Sequence, residues 1–195
     1  MSEQRQSETD SSSQPTGPTG RPLFQVVLHE PEIPNNTGNI GRTCVATGCA
    51  LHLIHPLGFE VTDKACRRAG LDYWPRLGVA EHESWSGYRR AVSVPDSRMW
   101  LFTTRAKQCV FDVEFSPGDH FVFGKETAGL PADLLESMPE QQVGFPLASG
   151  ERSMNVATVV CAAVYEGLRQ LYVRKMIGLD DGLRIQNASD SAFGA

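Results

Sequence analysis

A chain of 195 residues with 41% hydrophobic and 21% charged side chains is long enough for one domain with a sizeable core and has the balance of an ordinary soluble globular protein. No apolar run approaches the ~20 residues that cross a bilayer, and the N-terminus lacks the apolar core of a signal peptide, so a cytoplasmic protein with no membrane partner is expected. The net charge of −5 argues only superficially against a nucleic-acid partner, because counterion release needs a local basic patch rather than a basic protein. Candidates for such a patch are Arg67-Arg68, Arg89-Arg90, Arg105 with Lys107, and Arg174-Lys175.

Residues 1–22 are Ser, Gln, Thr, Gly and Pro without periodicity, and are expected to be a disordered tail. Order is expected from Leu23, where LFQVVLH reads as a short strand stopped by Pro31 and Pro34. A helix should open at Asn35-Asn36-Thr37-Gly38, run through Ile40, Cys44 and Val45, and stop at Gly48. Residues 51–54 form a second buried strand ending at His55-Pro56, followed by a helix over residues 63–69 and a polar-aromatic turn over residues 70–75. A helix over 84–91, a strand over 99–103, a weak extended segment over 110–115 and a clear strand over 120–123 come next.

The loop GKETAGLP from Gly124 to Pro131 then leads into a short helix over 132–137. The apolar run 143–147 breaks at Ala148-Ser149-Gly150, and Ser153 is a candidate N-cap for the helix behind it. That helix is apolar on almost every side through Val164, a pattern expected of a helix buried all round. The organised domain should therefore span residues 23–177, with a flexible C-terminal tail over 178–195.

Alternating strands and helices predict an α/β fold with a largely parallel sheet, its ligand beyond the carboxyl ends of the strands. Three loops meet that description: those after residues 101–103, after Phe123 and after Leu147. The common nucleotide motifs are absent. No G-x-G-x-x-G follows a strand; Gly124-Lys125 looks like the end of a phosphate loop, but Asp119 stands where the first Gly is required and Glu126 replaces the Ser or Thr. The five cysteines (44, 49, 66, 109 and 161) form no C-x-x-C, and the five histidines no H-E-x-x-H. Reduced, packed thiols and no metal are expected, with His52 and His55 in structural roles.

Three separated segments together carry a resemblance: NTGNIGR from Asn36 to Arg42, FGKETAGLP from Phe123 to Pro131, and Phe145-Pro146-Leu147 with Arg152-Ser153-Met154-Asn155. In this order they resemble the three motifs of SPOUT-class RNA ribose 2′-O-methyltransferases. The segments LHEPEIPNNTGNIGR and RRAGLDYW point within that class to the tRNA (cytidine/uridine-34 2′-O)-methyltransferases. The match covers about residues 23–171. It implies S-adenosylmethionine as methyl donor, a trefoil knot at the C-terminal end of the fold, a homodimer, and the anticodon loop of tRNA as partner.

By the same resemblance Phe102, Gly124, Phe145 and Ser153 hold the donor, Gly124 by letting backbone approach the ligand closely. Arg42 sits beside the ribose hydroxyl with Asn36, Glu126, Ser153 and Asn155 as the supporting catalytic set. Glu126 is expected to orient Arg42 or backbone amides. Arg67, Arg68, Asp72 and Tyr73 are expected to face the anticodon loop. Two other readings keep the fold: a 2′-O-methyltransferase for another tRNA or rRNA position, and a non-catalytic RNA-binding dimer.

Overall fold

A computed structural model of the protein describes residues 21–59 and 74–187. Seven strands form one sheet in the order β3-β2-β1-β6-β4-β7-β5, and every pairing in it is parallel. They are β1 (Gln25–His29), β2 (Ala50–Ile54), β3 (Val79–His82), β4 (Met99–Phe102), β5 (Gln108–Cys109), β6 (His120–Phe123) and β7 (Gln142–Gly144). Strand β6, HFVF, is buried at all four positions, as a central strand covered on both faces should be.

Successive side chains of a strand point to opposite faces, so each strand feeds two cores. Val26, Leu28, Phe121 and Phe123 pack with helices α1 (Pro34–Thr47) and α4 (Val156–Val173) on one face. Val27, Leu101 and Val122 pack with α2 (Trp85–Val92) and α3 (Ala132–Ser137) on the other. The approach of α4 to the sheet is close: a Cβ at Gly167 would lie 2.6 Å from Phe24 Cζ.

Helix α1 begins at Pro34, whose missing N–H costs nothing in a first turn. It ends at Gly48, a left-handed residue at φ 69° whose N–H donates to the Cys44 carbonyl, the stop that the sequence predicts. The start of α4 differs from expectation. Its cap is Asn155, whose Oδ1 accepts from Ala157 N at 2.9 Å; Ser153 lies two residues upstream in non-helical chain. Nor is α4 buried all round. In its apolar stretch Val160, Ala163 and Val164 are buried, but Val156, Ala157, Val159, Cys161 and Ala162 are only half-buried, Thr158 is exposed and Tyr165 is 56% exposed, because the sheet and α1 cover only one side of it. Beyond Glu166, where a wet face is expected, Tyr172 and Val173 are exposed too.

Three further expectations change. Residues 110–112 form a 3-10 turn rather than an extended segment. Strand β7 stops at Gly144, because the chain leaves the sheet before Pro146, which has no N–H for a ladder. Part of the expected C-terminal tail is ordered: β8 (Ile177–Leu179) and β9 (Ile185–Asn187) form an antiparallel hairpin. Asp180 fixes its turn by accepting from the amides of Gly182 and Arg184, both at 2.8 Å. The helix expected over 63–69 lies outside the described residues.

Candidate functional site

A cavity of about 530 Å³ opens beyond the carboxyl ends of β4, β6 and β7, and all three loops singled out from the sequence line it. Its aromatic wall follows from the register. Phe102 and Phe123 are directly opposite on adjacent parallel strands and stack at 4.6 Å between centroids with an interplanar angle of 17°. Phe145 continues the stack at 6.1 Å and 24° from Phe102.

Gly124 lines the cavity where β6 ends. An ideal Cβ there would lie 2.0 Å from the Gly129 carbonyl carbon and 2.2 Å from Leu130 N. One close approach that this glycine permits is the loop's own return. Gly129, at φ +72°, closes the turn by donating its N–H to the Lys125 carbonyl at 2.8 Å.

One polar chain joins the three motif segments. The Glu126 carboxylate accepts from Glu32 N at 2.9 Å, Ile33 N at 3.3 Å and Asn36 Nδ2 at 2.9 Å. Asn36 is only 7% exposed, and its Oδ1 accepts from Asn155 Nδ2 at 3.0 Å. Asn155 then has its own oxygen left to cap α4. A carboxylate can only accept, so it forces Asn36 to present nitrogen to it and oxygen to Asn155. Glu126 also supplies what α1 lacks. Ile33 offers no side-chain cap and the first turn holds no acid; the negative charge comes from another loop, which is favourable at a helix N-terminus. Of the two roles expected for Glu126, the orientation of backbone amides is the one these contacts describe.

Asn36, Phe102, Gly124, Glu126, Phe145, Ser153 and Asn155 all line this cavity. Arg42 does not. It sits on the exposed stripe of α1 with Asn35 and Asn39, about 9 Å along the helix from Asn36. Arg67, Arg68, Asp72 and Tyr73 lie outside the described residues. Two cations of the cavity wall, Arg105 and Arg152, stand in the sequence as part of a basic pair and as the first residue of Arg152-Ser153-Met154-Asn155, with no site role assigned to either. Glu32 and Thr127, which meet at 2.8–3.0 Å, stand inside the segments LHEPEIPNNTGNIGR and FGKETAGLP, but nothing in the sequence assigns either of them a role. Among the described residues no cluster of three His, Cys, Asp or Glu is placed to hold a metal ion, and no helix is long and apolar enough to cross a membrane.

Fold and cavity together define a parallel α/β protein whose ligand site is built from loops at the carboxyl ends of its strands. Residues 23–165 match the SpoU rRNA Methylase family, and the chain belongs to that family. It is 48% identical over 149 residues to the tRNA (cytidine(34)-2′-O)-methyltransferase of Burkholderia ambifaria, covering 76% of this chain and 96% of that relative. A solved structure presented as "Structural insights into the 2-OH methylation of C/U34 on tRNA" superposes with a TM-score of 0.71 at 39% identity, covering 77% of this chain and 97% of the other. The SpoU methyltransferase AviRb of Streptomyces viridochromogenes, solved in complex with the cofactor AdoMet, superposes with a TM-score of 0.64 at 27% identity, over 78% of this chain and 59% of that one.

Proposed function

We propose that this protein methylates the ribose 2′-hydroxyl of the wobble nucleotide of tRNA, cytidine or uridine at position 34, with S-adenosylmethionine as donor. The observation that carries the reading is the single chain Glu126–Asn36–Asn155, which ties all three motif segments together around one cavity. The methylation named for the B. ambifaria relative supports the choice of nucleotide.

The cavity fits the donor. Its volume lies within the ~300–1,000 Å³ usual for small-molecule sites, and its stacked phenylalanines offer an apolar wall to a purine. Phe102, Gly124, Phe145 and Ser153 would hold S-adenosylmethionine, which supplies an electrophilic methyl group when bound. The chain's own task is then to position the hydroxyl and manage one proton. Arg42 stabilises negative charge on the 2′-oxygen as the proton leaves, and grips the adjacent phosphate. A guanidinium is a poor proton acceptor, so the proton passes to water or phosphate. Asn36, Glu126 and Asn155 keep the donor loops and α1 in one register. Arg105 and Arg152 meet the RNA backbone at the cavity wall, while Arg67, Arg68, Asp72 and Tyr73 contact unstacked bases of the anticodon loop.

The protein acts as a cytoplasmic homodimer with a C-terminal trefoil knot. The dimer is supported by the exposed apolar side of α4 and by a groove of about 600 Å³ between the end of α1, α4 and the β8–β9 hairpin. Mapping 2′-O-methyl groups in tRNA from cells with and without this protein tests the assignment. Loss of the methyl at position 34 alone is expected; loss at another tRNA or rRNA position would move the substrate, and no loss would favour the non-catalytic dimer.

A further inference from the structure

The ladder between β1 and β6 ends at Leu28 and Phe123. Beyond that point the two chains diverge, and side-chain carboxylates take over the cross-links. Glu30 Oε2 lies 2.8 Å from Lys125 Nζ, and that hydrogen bond raises the pKa of the lysine. Glu126 accepts from the amides of Glu32 and Ile33. Glu32 answers in the other direction: one carboxylate oxygen accepts from Thr127 N at 3.0 Å, and Thr127 Oγ1 donates to the same carboxylate, 2.8 Å from Oε2 and 3.0 Å from Oε1. Each segment therefore holds the other's backbone through an acid. Thr127 lines the cavity and Glu32 does not.

We propose that Glu32 is a positioning residue that preorganises the donor-binding loop, acting through Thr127; the inference rests on the methyltransferase reading above. The contacts from Thr127 to Glu32 are exposed, so water can replace them and the fold loses little without them. The loop loses its fixed shape instead, and the donor must then supply the ordering free energy on binding. The chemical step at saturating donor is left nearly intact. Glu30 and Lys125 cannot substitute, because their ion pair fixes a side chain and not the Thr127 amide.

The test is titration calorimetry with S-adenosylmethionine, joined to methyl-transfer kinetics on tRNA, for the wild type, Glu32→Ala, Glu32→Gln, Thr127→Val and the double variant Glu32→Ala/Thr127→Val. Glu32→Ala is expected to raise donor Kd and KM about tenfold, the loss of roughly one to two hydrogen bonds, with kcat at saturating donor within about threefold and the melting midpoint within about 3 °C. Glu32→Gln should recover most of the affinity, since its amide oxygen still accepts from Thr127. Thr127→Val, which removes only the hydroxyl, should cost about threefold, and the double variant should be no worse than Glu32→Ala. Wild-type donor affinity in Glu32→Ala, no recovery in Glu32→Gln, or losses that multiply in the double variant would overturn the proposal. A wild-type protein that binds no S-adenosylmethionine would instead overturn the functional reading beneath it.

Discussion

Two of the polar networks among the described residues of this sheet differ in what surrounds them. At the carboxyl ends, Glu126, Asn36 and Asn155 line an open cavity and fix the loops around it. Farther along the sheet, His52 Nδ1 lies 3.0 Å from His82 Nε2 while its Nε2 lies 2.9 Å from Gln25 Oε1. Beside them Tyr88 hydrogen-bonds His120 and stands edge-on to His52 and His82. That cluster lines neither cavity described above. The first network is organised by a carboxylate, which accepts from three donors around it. The second is organised by imidazoles kept neutral: burial lowers His52 to about 3 and His120 to about 4, with the positive charges of Arg98 and Arg89 adding to the shift at His120. A polar network that lines a cavity positions chemistry, whereas one packed between strands away from both cavities specifies packing.

The contrast can be broken most sharply at Arg42. Arg42→Ala should lower kcat about a thousandfold, the scale of a lost oxyanion contact, with donor Kd within a few-fold by calorimetry. Retained activity would remove Arg42 from the mechanism. Gly124→Ala comes next: the added methyl meets backbone at 2.0 Å, so the loop must rebuild, and donor affinity should fall about a hundredfold with a drop of several degrees in melting temperature. Asn36→Ala breaks the relay on both sides and leaves Asn155 Nδ2 without its acceptor. A kcat loss of about tenfold to a hundredfold is expected, read against a smaller change in donor Kd.

The smallest expected effect lies in the histidine cluster. Histidines with lowered folded pKa bind fewer protons folded than unfolded, so their contribution is complete above the unfolded value of 6.5 and is lost as pH falls toward the folded values. Melting temperature should therefore fall by a few degrees per pH unit between pH 6.5 and 4. His52→Gln should flatten that slope while kcat at pH 7.5 stays within about twofold. A kcat loss in His52→Gln as large as that of Asn36→Ala would erase the distinction between the networks.

Much of this was legible because local chemistry agrees with tertiary placement. Gly48 had to end a helix, HFVF had to be a covered strand, and the three loops had to gather at one edge of a parallel sheet. Strands β3 and β5 were not legible, since VAEH and QC carry no periodicity and become strands only by pairing with a neighbour. The capping role of Asn155 was hidden behind Ser153, an equally good capping residue by type. Its selection depends on Asn36, 119 residues away in sequence. The need for glycine at 124 was visible, but not its steric contact within the loop, because no sequence pattern shows that the loop folds back on itself at Gly129 and Leu130. The uncovered side of α4 was misread for a similar reason: apolar composition shows that a face seeks cover, not which element supplies it.

The most direct measurement is mass spectrometry of a tRNA anticodon stem-loop incubated with the purified protein and S-adenosylmethionine. One methyl group on the ribose of nucleotide 34, absent when Arg42→Ala replaces the wild type, is the expected result. A methyl on a base or on another nucleotide, or equal transfer by Arg42→Ala, would contradict the assignment of this cavity and this arginine to wobble-ribose methylation.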